Sequence, residues 1–167
     1  MPVYRYPFVQ MGINDMPRPK LPVRIINPHT GQLILTWALI DTGADMCAVP
    51  ADLAQALGHT LDAVGSNTIS TGAGKGSMYH HTFQIEILKT DLSVVNGFDP
   101  NLVVHTIQSS PIACAVGLQT VLLGVSGFLQ DYILTVNYQE LFFSVQRNFL
   151  YDETENNLQP TTITTPY

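Results

Sequence analysis

The run Trp37-Ala38-Leu39-Ile40-Asp41-Thr42-Gly43-Ala44-Asp45 holds the clearest structural signal in the sequence. Its first four residues are apolar, and the acidic Asp41 follows them directly on a turn that contains glycine. In such a turn, main-chain amides can hydrogen-bond a carboxylate, and the missing glycine side chain lets another peptide chain approach closely. The run therefore predicts a buried strand that presents Asp41 at its end.

The residues on either side of this run predict a hairpin before it and a helix after it. Upstream, apolar segments at 21–26 and 32–40 flank the turn signal Asn27-Pro28-His29-Thr30-Gly31, so they should form a β-hairpin that leads into Asp41. Downstream, residues 51–57 are good helix formers that follow a proline and stop at a glycine. A short helix is predicted there.

A further hairpin is predicted around the glycine-rich segment Gly72-Ala73-Gly74-Lys75-Gly76. The segments at 68–71 and 78–88 are strand-like, whereas the glycines leave too much main-chain freedom for a core position. We interpret residues 72–76 as the mobile tip of a flap.

The C-terminal half is also predicted to form short strands, with one short helical segment. Residues 118–123 form an apolar strand that ends in Gly124, and 126–130 could make one or two helical turns. Residues 132–137 and 141–145 are β-branched and aromatic, which predicts a last hairpin. A chain of 167 residues with 46% hydrophobic content is long enough for one good core. We therefore expect a mostly β, single-domain protein with one or two short helices.

Taken in order, these segments resemble the retropepsin-like aspartic proteases, which include the retroviral enzymes and cellular relatives that share the pepsin active-site loop. The resemblance rests on Asp41-Thr42-Gly43-Ala44-Asp45, on Leu122-Leu123-Gly124, and on the last hairpin, which is closest to the bacterial and cellular single-domain members. It covers residues 21–146, while 88–117 and both ends have no clear counterpart. It implies a single retropepsin-like β-barrel with a glycine-rich flap.

The resemblance also assigns roles to individual residues. Asp41 becomes the catalytic aspartate, and the Thr42 hydroxyl locks two such loops together across a dimer. Gly43 completes the catalytic loop and, with Asp45, hydrogen-bonds the main chain of a peptide substrate. The other substrate-binding residues implied by the family are Ala44, Gly72, Ala73 and Gly74.

One feature departs from the retroviral pattern. Those enzymes follow the downstream glycine with an Arg that pairs with the aspartate at the position of Asp45, whereas Val125 and Ser126 follow here, with an extra Gly127. Asp45 therefore needs another partner. An alternative is that Asp45 only caps the helix that follows it.

The dimer follows from the number of motifs. Two carboxylates that share one proton are needed to activate water in an aspartic protease, and this sequence holds one Asp-Thr-Gly. The only echo, Ile69-Ser70-Thr71-Gly72-Ala73, has Ser where the carboxylate should be and lies too close to Asp41 to open a second half-domain. We expect a homodimeric aspartic endopeptidase that acts on peptides or proteins. The alternative is a non-catalytic dimerisation or peptide-binding module on the same fold.

Composition argues against several other classes. The net charge is -6 and the seven basic residues are scattered, so nucleic acid is not an expected partner. No apolar run approaches the roughly 20 residues that span a bilayer, and the N-terminal sequence lacks a signal-peptide pattern. We expect a soluble, cytoplasmic protein with no membrane partner.

Metal and nucleophile chemistry are not expected either. Cys47 and Cys114 have small apolar neighbours and are interpreted as buried structural thiols. His80 and His81 are adjacent, so on a strand they face opposite sides, and no metal or other cofactor is predicted. Ser126 lacks the glycine pattern of a nucleophile elbow. The expected layout is an extended arm at 1–20, the protease domain at 21–150 and a polar tail at 151–167.

Overall fold

Ten β-strands and one short α-helix make up the part of the chain that the computed structural model describes, residues 3–61, 67–71 and 74–148. In chain order the elements are β1 (Val3–Pro7), β2 (Lys20–Ile26), β3 (Leu33–Ile40), β4 (Ala48–Pro50), α1 (Ala51–Ala56), β5 (Asn67–Thr71), β6 (Gly74–Asp91), β7 (Gly97–Ala115), β8 (Val121–Leu123), a 3-10 helix (Leu129–Asp131), β9 (Tyr132–Asn137) and β10 (Phe142–Arg147). The prediction of a mostly β protein is confirmed.

Six of the strands close into a barrel. The order is β2-β3-β8-β4-β7-β6, and β2 also pairs with β6, which joins the two ends of the sheet. Closure removes the free edges that an open sheet would expose. The seventh strand of this sheet, β5, lies outside the ring and pairs with the first part of β6.

The barrel interior is the main core. Val23 on β2 lies opposite Ile87 on β6, and Ile25 lies opposite Ile85, and all four side chains are fully buried. This alternation follows from the two-residue period of a strand, which sends every second side chain inward. Cys47 and Cys114 belong to the same core as free, buried thiols, as the sequence indicated. Burial raises the pKa of Cys114 to about 11, so the thiol stays protonated and unreactive.

A second, smaller sheet has the order β1-β10-β9. The first residues of the expected N-terminal arm are extended, and β1 is built into this sheet by pairing with β10. Tyr6 is buried there and packs edge-on against Phe143, with ring centroids 5.7 Å apart. A bulge interrupts the pairing at Arg5, whose main-chain N–H donates to the Ser144 hydroxyl at 2.9 Å.

The long β6–β7 hairpin contains most of the region 88–117, for which the family resemblance offered no clear counterpart. Residues 74–91 and 97–115 pair along most of their length, with register shifts near Ile85, Leu88 and Lys89. Phe98, near the far end, packs edge-on against Trp37 with centroids 5.7 Å apart. The extra residues therefore extend the barrel hairpin and add no separate domain.

The two helices are short. α1 follows Pro50 and ends before Gly58, which has a φ of +85° that glycine adopts without strain. The helical turn expected at 126–130 is a 3-10 helix shifted to Leu129–Asp131. Among the residues described, no helix has the length and apolar character needed to cross a bilayer.

Candidate active site

Asp41 directly follows β3, at the end of a barrel strand. The main-chain N–H of Asp41 donates to the carbonyl oxygen of Leu123 at 3.1 Å, directly after the parallel pairing of Ile40 with Leu123. β8 lies between β3 and β4, since Ala48 on β4 pairs with Leu122. The chain must therefore pass over the end of β8 between residues 41 and 47, which holds the loop at both ends.

Hydrogen bonds within the loop shape the turn. The main-chain N–H of Gly43 donates to Asp41 Oδ1 at 2.9 Å, and that of Ala44 donates to the Asp41 carbonyl oxygen at 3.3 Å. Asp41 and Ala44 are half-buried, whereas Thr42, Gly43 and Asp45 are exposed. The predicted presentation of a carboxylate on a glycine turn is thus present, with one amide donor already on the carboxylate.

Gly124 packs directly against the main chain of the loop at residues 41–47. A Cβ added there would overlap the main-chain carbonyl of Met46 and lie 2.7 Å from the Ala44 carbonyl oxygen. The next residue, Val125, donates its N–H to that same Ala44 oxygen at 2.9 Å. Only glycine allows such an approach, so the Leu122-Leu123-Gly124 pattern has a direct structural reason.

Asp45 is joined through the main chain to the segment that follows Gly124. Its carbonyl oxygen accepts from the Ser126 N–H at 2.9 Å, and Ser126 in turn accepts from Cys47 at 3.2 Å. In the part of the chain that is described, the Asp45 carboxylate has no ion pair. The alternative role as a helix cap is wrong, because α1 begins after Pro50 and has no side-chain cap.

The glycine-rich hairpin is also present. β5 pairs with the start of β6 from Asn67 opposite Met78 to Thr71 opposite Gly74. Gly74 is the first residue of β6, while the predicted flap-tip residues Gly72 and Ala73 lie outside the described residues.

A depression of about 450 Å³ adjoins Asp41 and Thr42. Several of its other lining residues come from two segments that are distant in sequence, the N-terminal segment at 16–19 and the tip of the β9–β10 hairpin: Met16, Pro17, Arg18, Pro19, Tyr138 and Leu141. Met16 and Tyr138 are 70% and 73% exposed. These residues could not be predicted from the sequence, because no local pattern connects them to Asp41.

The described residues contain no group of three or more histidine, cysteine or carboxylate side chains that could hold a metal ion.

Two comparisons with known proteins found similar proteins. A family model described as "Aspartyl protease" matches residues 21–126. Among solved structures, the chain is similar to a retropepsin-like aspartic protease from Rickettsia conorii, with 15% identity, a TM-score of 0.49, and coverage of 86% of this chain and 96% of that one. A search of curated protein sequences found no match.

Proposed function

Because the chain belongs to the aspartyl protease family and its closed barrel is of the retropepsin-like kind, we propose that it is an aspartic endopeptidase assembled from two copies. Each copy contributes one Asp41, and the two carboxylates meet on a two-fold axis. The observation that carries this proposal is the loop at the end of β3, which holds the one Asp-Thr-Gly of the sequence on an open face.

The proposed reaction is hydrolysis of a peptide bond by water. Two carboxylates about 3 Å apart cannot both ionise, so the pair holds one shared proton. The ionised member removes a proton from the water molecule, and the protonated member donates to the carbonyl oxygen of the peptide. The hydrogen bond from the Gly43 main-chain N–H to Asp41 Oδ1 supports this role, since it holds the carboxylate in a fixed orientation.

The surface beside Asp41 supports a second copy as the partner. Met16, Tyr138 and Leu141 expose apolar side chains around the depression next to Asp41 and Thr42. Exposed apolar surface beside a functional group is typical of an interaction face. A second copy, related by a two-fold axis that passes between the two Asp41 carboxylates, would cover this surface and bring the two Thr42 hydroxyls together.

Substrate would bind as an extended peptide between the loop and the β5–β6 hairpin. Gly43 and Asp45 are exposed on the open side of the loop and would offer main-chain groups and one carboxylate to the peptide. Ala44, half-buried between them and hydrogen-bonded through its own main chain to Asp41 and Val125, would contact the peptide through its side chain. Asp45 suits a substrate amide because its carboxylate has no ion pair in the described part of the chain. The β5–β6 hairpin would close over the peptide as a flap.

Digestion of an unfolded protein mixture between about pH 3 and 7 tests the proposal. We expect cleavage by the wild type, and none by Asp41→Asn. Asp52→Asn, which changes an exposed carboxylate on α1, is the matched control and should cleave as the wild type does. A dimer that binds peptides without cutting them would instead favour the non-catalytic module.

A further inference from the structure

Two histidine rings pack against each other at the base of the β5–β6 hairpin. The ring centroids of His59 and His81 are 4.6 Å apart with an interplanar angle of 38°. His59 also meets the ring of Phe83 at 4.5 Å. Part of each histidine is exposed, but both Nε2 atoms are buried and have no hydrogen-bond partner among the described residues. In the described part of the chain, neither Nε2 atom has the polar contact that normally fixes a buried imidazole nitrogen.

The two rings lie on the two chain segments that lead into and out of the hairpin. His59 follows α1, where its main-chain N–H donates to the Ala54 carbonyl oxygen at 3.0 Å, and the chain then continues toward β5. His81 lies on β6, which pairs with β5 up to Met78 and with β2 from Gln84 onward. His81 therefore lies where β6 passes from the hairpin into the barrel, and its contact with His59 ties the hairpin base to the segment after α1.

The surroundings of the pair favour neutral rings. Burial lowers the pKa of both imidazoles, and for His59 the nearby His81 and then His29 lower the pKa further. The other titratable neighbour is Cys114 on β7, which accepts the main-chain N–H of His81 and is kept protonated by burial. No carboxylate in the described part of the chain acts on either ring.

We propose that His59 and His81 form a proton-operated latch for the β5–β6 hairpin. With both rings neutral, they stack and hold the base of the hairpin against the segment after α1. When both become imidazolium, the like charges repel at this short separation and the buried Nε2–H groups seek water, so the contact opens. Acid thus releases the hairpin base. This inference concerns the hairpin alone and does not require catalysis.

Hydrogen exchange in an Asp41→Asn background tests the latch, because that background removes the titration expected of the proposed Asp41 pair. Protection of residues 67–71 and 74–80, corrected for intrinsic exchange rates, is measured at about pH 7.5 and about pH 5. With intact latch histidines, protection should fall by about tenfold or more on acidification. In His81→Phe or His59→Phe, which keep a ring but remove the charge, the change should be less than about twofold.

His80→Gln is the matched control, since residue 80 is adjacent on the same strand but faces the opposite side. The acid-induced fall in protection of His80→Gln should equal that of the Asp41→Asn protein with intact His59 and His81. Two phenylalanine variants are used so that a folding defect in one leaves the other informative. The latch is overturned if both phenylalanine variants fold and still lose as much protection in acid as the Asp41→Asn protein with intact His59 and His81. Specific Zn²⁺ binding that disappears in His81→Phe would also overturn it, in favour of a two-histidine metal site.

Discussion

The main-chain N–H of Asp41 donates to the carbonyl oxygen of Leu123 at 3.1 Å, although the two residues are far apart in the chain. This bond continues the parallel β3–β8 pairing by one step, so the proposed catalytic residue is anchored to a buried strand. The loop that follows is then held over Gly124. The geometry of the carboxylate therefore depends on two segments, and changes in either should affect activity.

Asp41→Asn should abolish cleavage with little change in stability. Asn keeps the size of the side chain and can still accept the Gly43 N–H, but it cannot remove a proton from water. We expect turnover to fall by about a thousandfold or more. Turnover with a fluorogenic peptide and the urea midpoint should be measured together. Unchanged cleavage at the same sites would assign the activity to another residue.

Gly124→Ala should destabilise the fold and the site. The new Cβ would meet the main-chain carbonyl groups of Met46 and Ala44, which cannot move without displacing the loop. We expect the free energy of unfolding to fall by about 3 kcal/mol. Gly12→Ala is the control, since nothing lies within 4 Å of its Cβ. Equal urea midpoints for the two variants would contradict the prediction.

Thr42→Ala should weaken the homodimer. The exposed hydroxyl is proposed to hydrogen-bond across the two-fold axis, and loss of one such bond corresponds to about a tenfold rise in the dissociation constant. Thr42→Ser, which retains the hydroxyl, should restore the affinity. Sedimentation over a dilution series gives the constants. An active species that stays monomeric at all concentrations would exclude the dimer altogether.

Met16→Ser should also weaken the dimer, because Met16 is 70% exposed and lines the depression beside Asp41. Ile13→Ser is the matched control, since Ile13 belongs to the same N-terminal segment and is 97% exposed but does not line the depression. We expect a dissociation constant about tenfold higher for the first variant and unchanged for the second. Equal effects would move the interface away from this depression.

Stability should decrease as the pH falls through the range of ordinary histidines. Burial lowers the folded-state pKa of His59, His81 and His105, so below about pH 6.5 the unfolded chain binds protons that the folded chain does not. The loss is complete once the pH is below the folded-state pKa values. Urea unfolding of Asp41→Asn between about pH 8 and 5 should show this slope. A flat profile would show that the rings titrate normally in the folded protein.

Cleavage itself should have a bell-shaped pH profile centred in mildly acidic solution. The proposed dyad works only with one shared proton, so activity falls when the pair gains a second proton and when it loses the last one. Both limbs belong to the pair and not to either Asp41 alone. Initial rates normalised to the folded dimer fraction separate this effect from the loss of stability. A rate that rises steadily to alkaline pH would indicate another mechanism.

Local patterns were sufficient for the elements that frame the site. The apolar run before Asp41, the turn at 27–31, the helix after Pro50 and the last hairpin were each recognisable because strand alternation, turn residues and helix stops act over a few neighbouring residues. The family resemblance suggested the role proposed for Asp-Thr-Gly. The match at 21–126 confirms the family resemblance itself.

The tertiary structure alone decided which distant residues meet. The contact of Gly124 with the Met46 carbonyl and the approach of Met16 and Tyr138 to Asp41 depend on sheet order and register. The packing of the His59 ring against the His81 ring also depends on sheet order and register. A strand's own residues specify which face is buried but not which strand lies beside it, because pairing partners are selected by packing of the whole barrel.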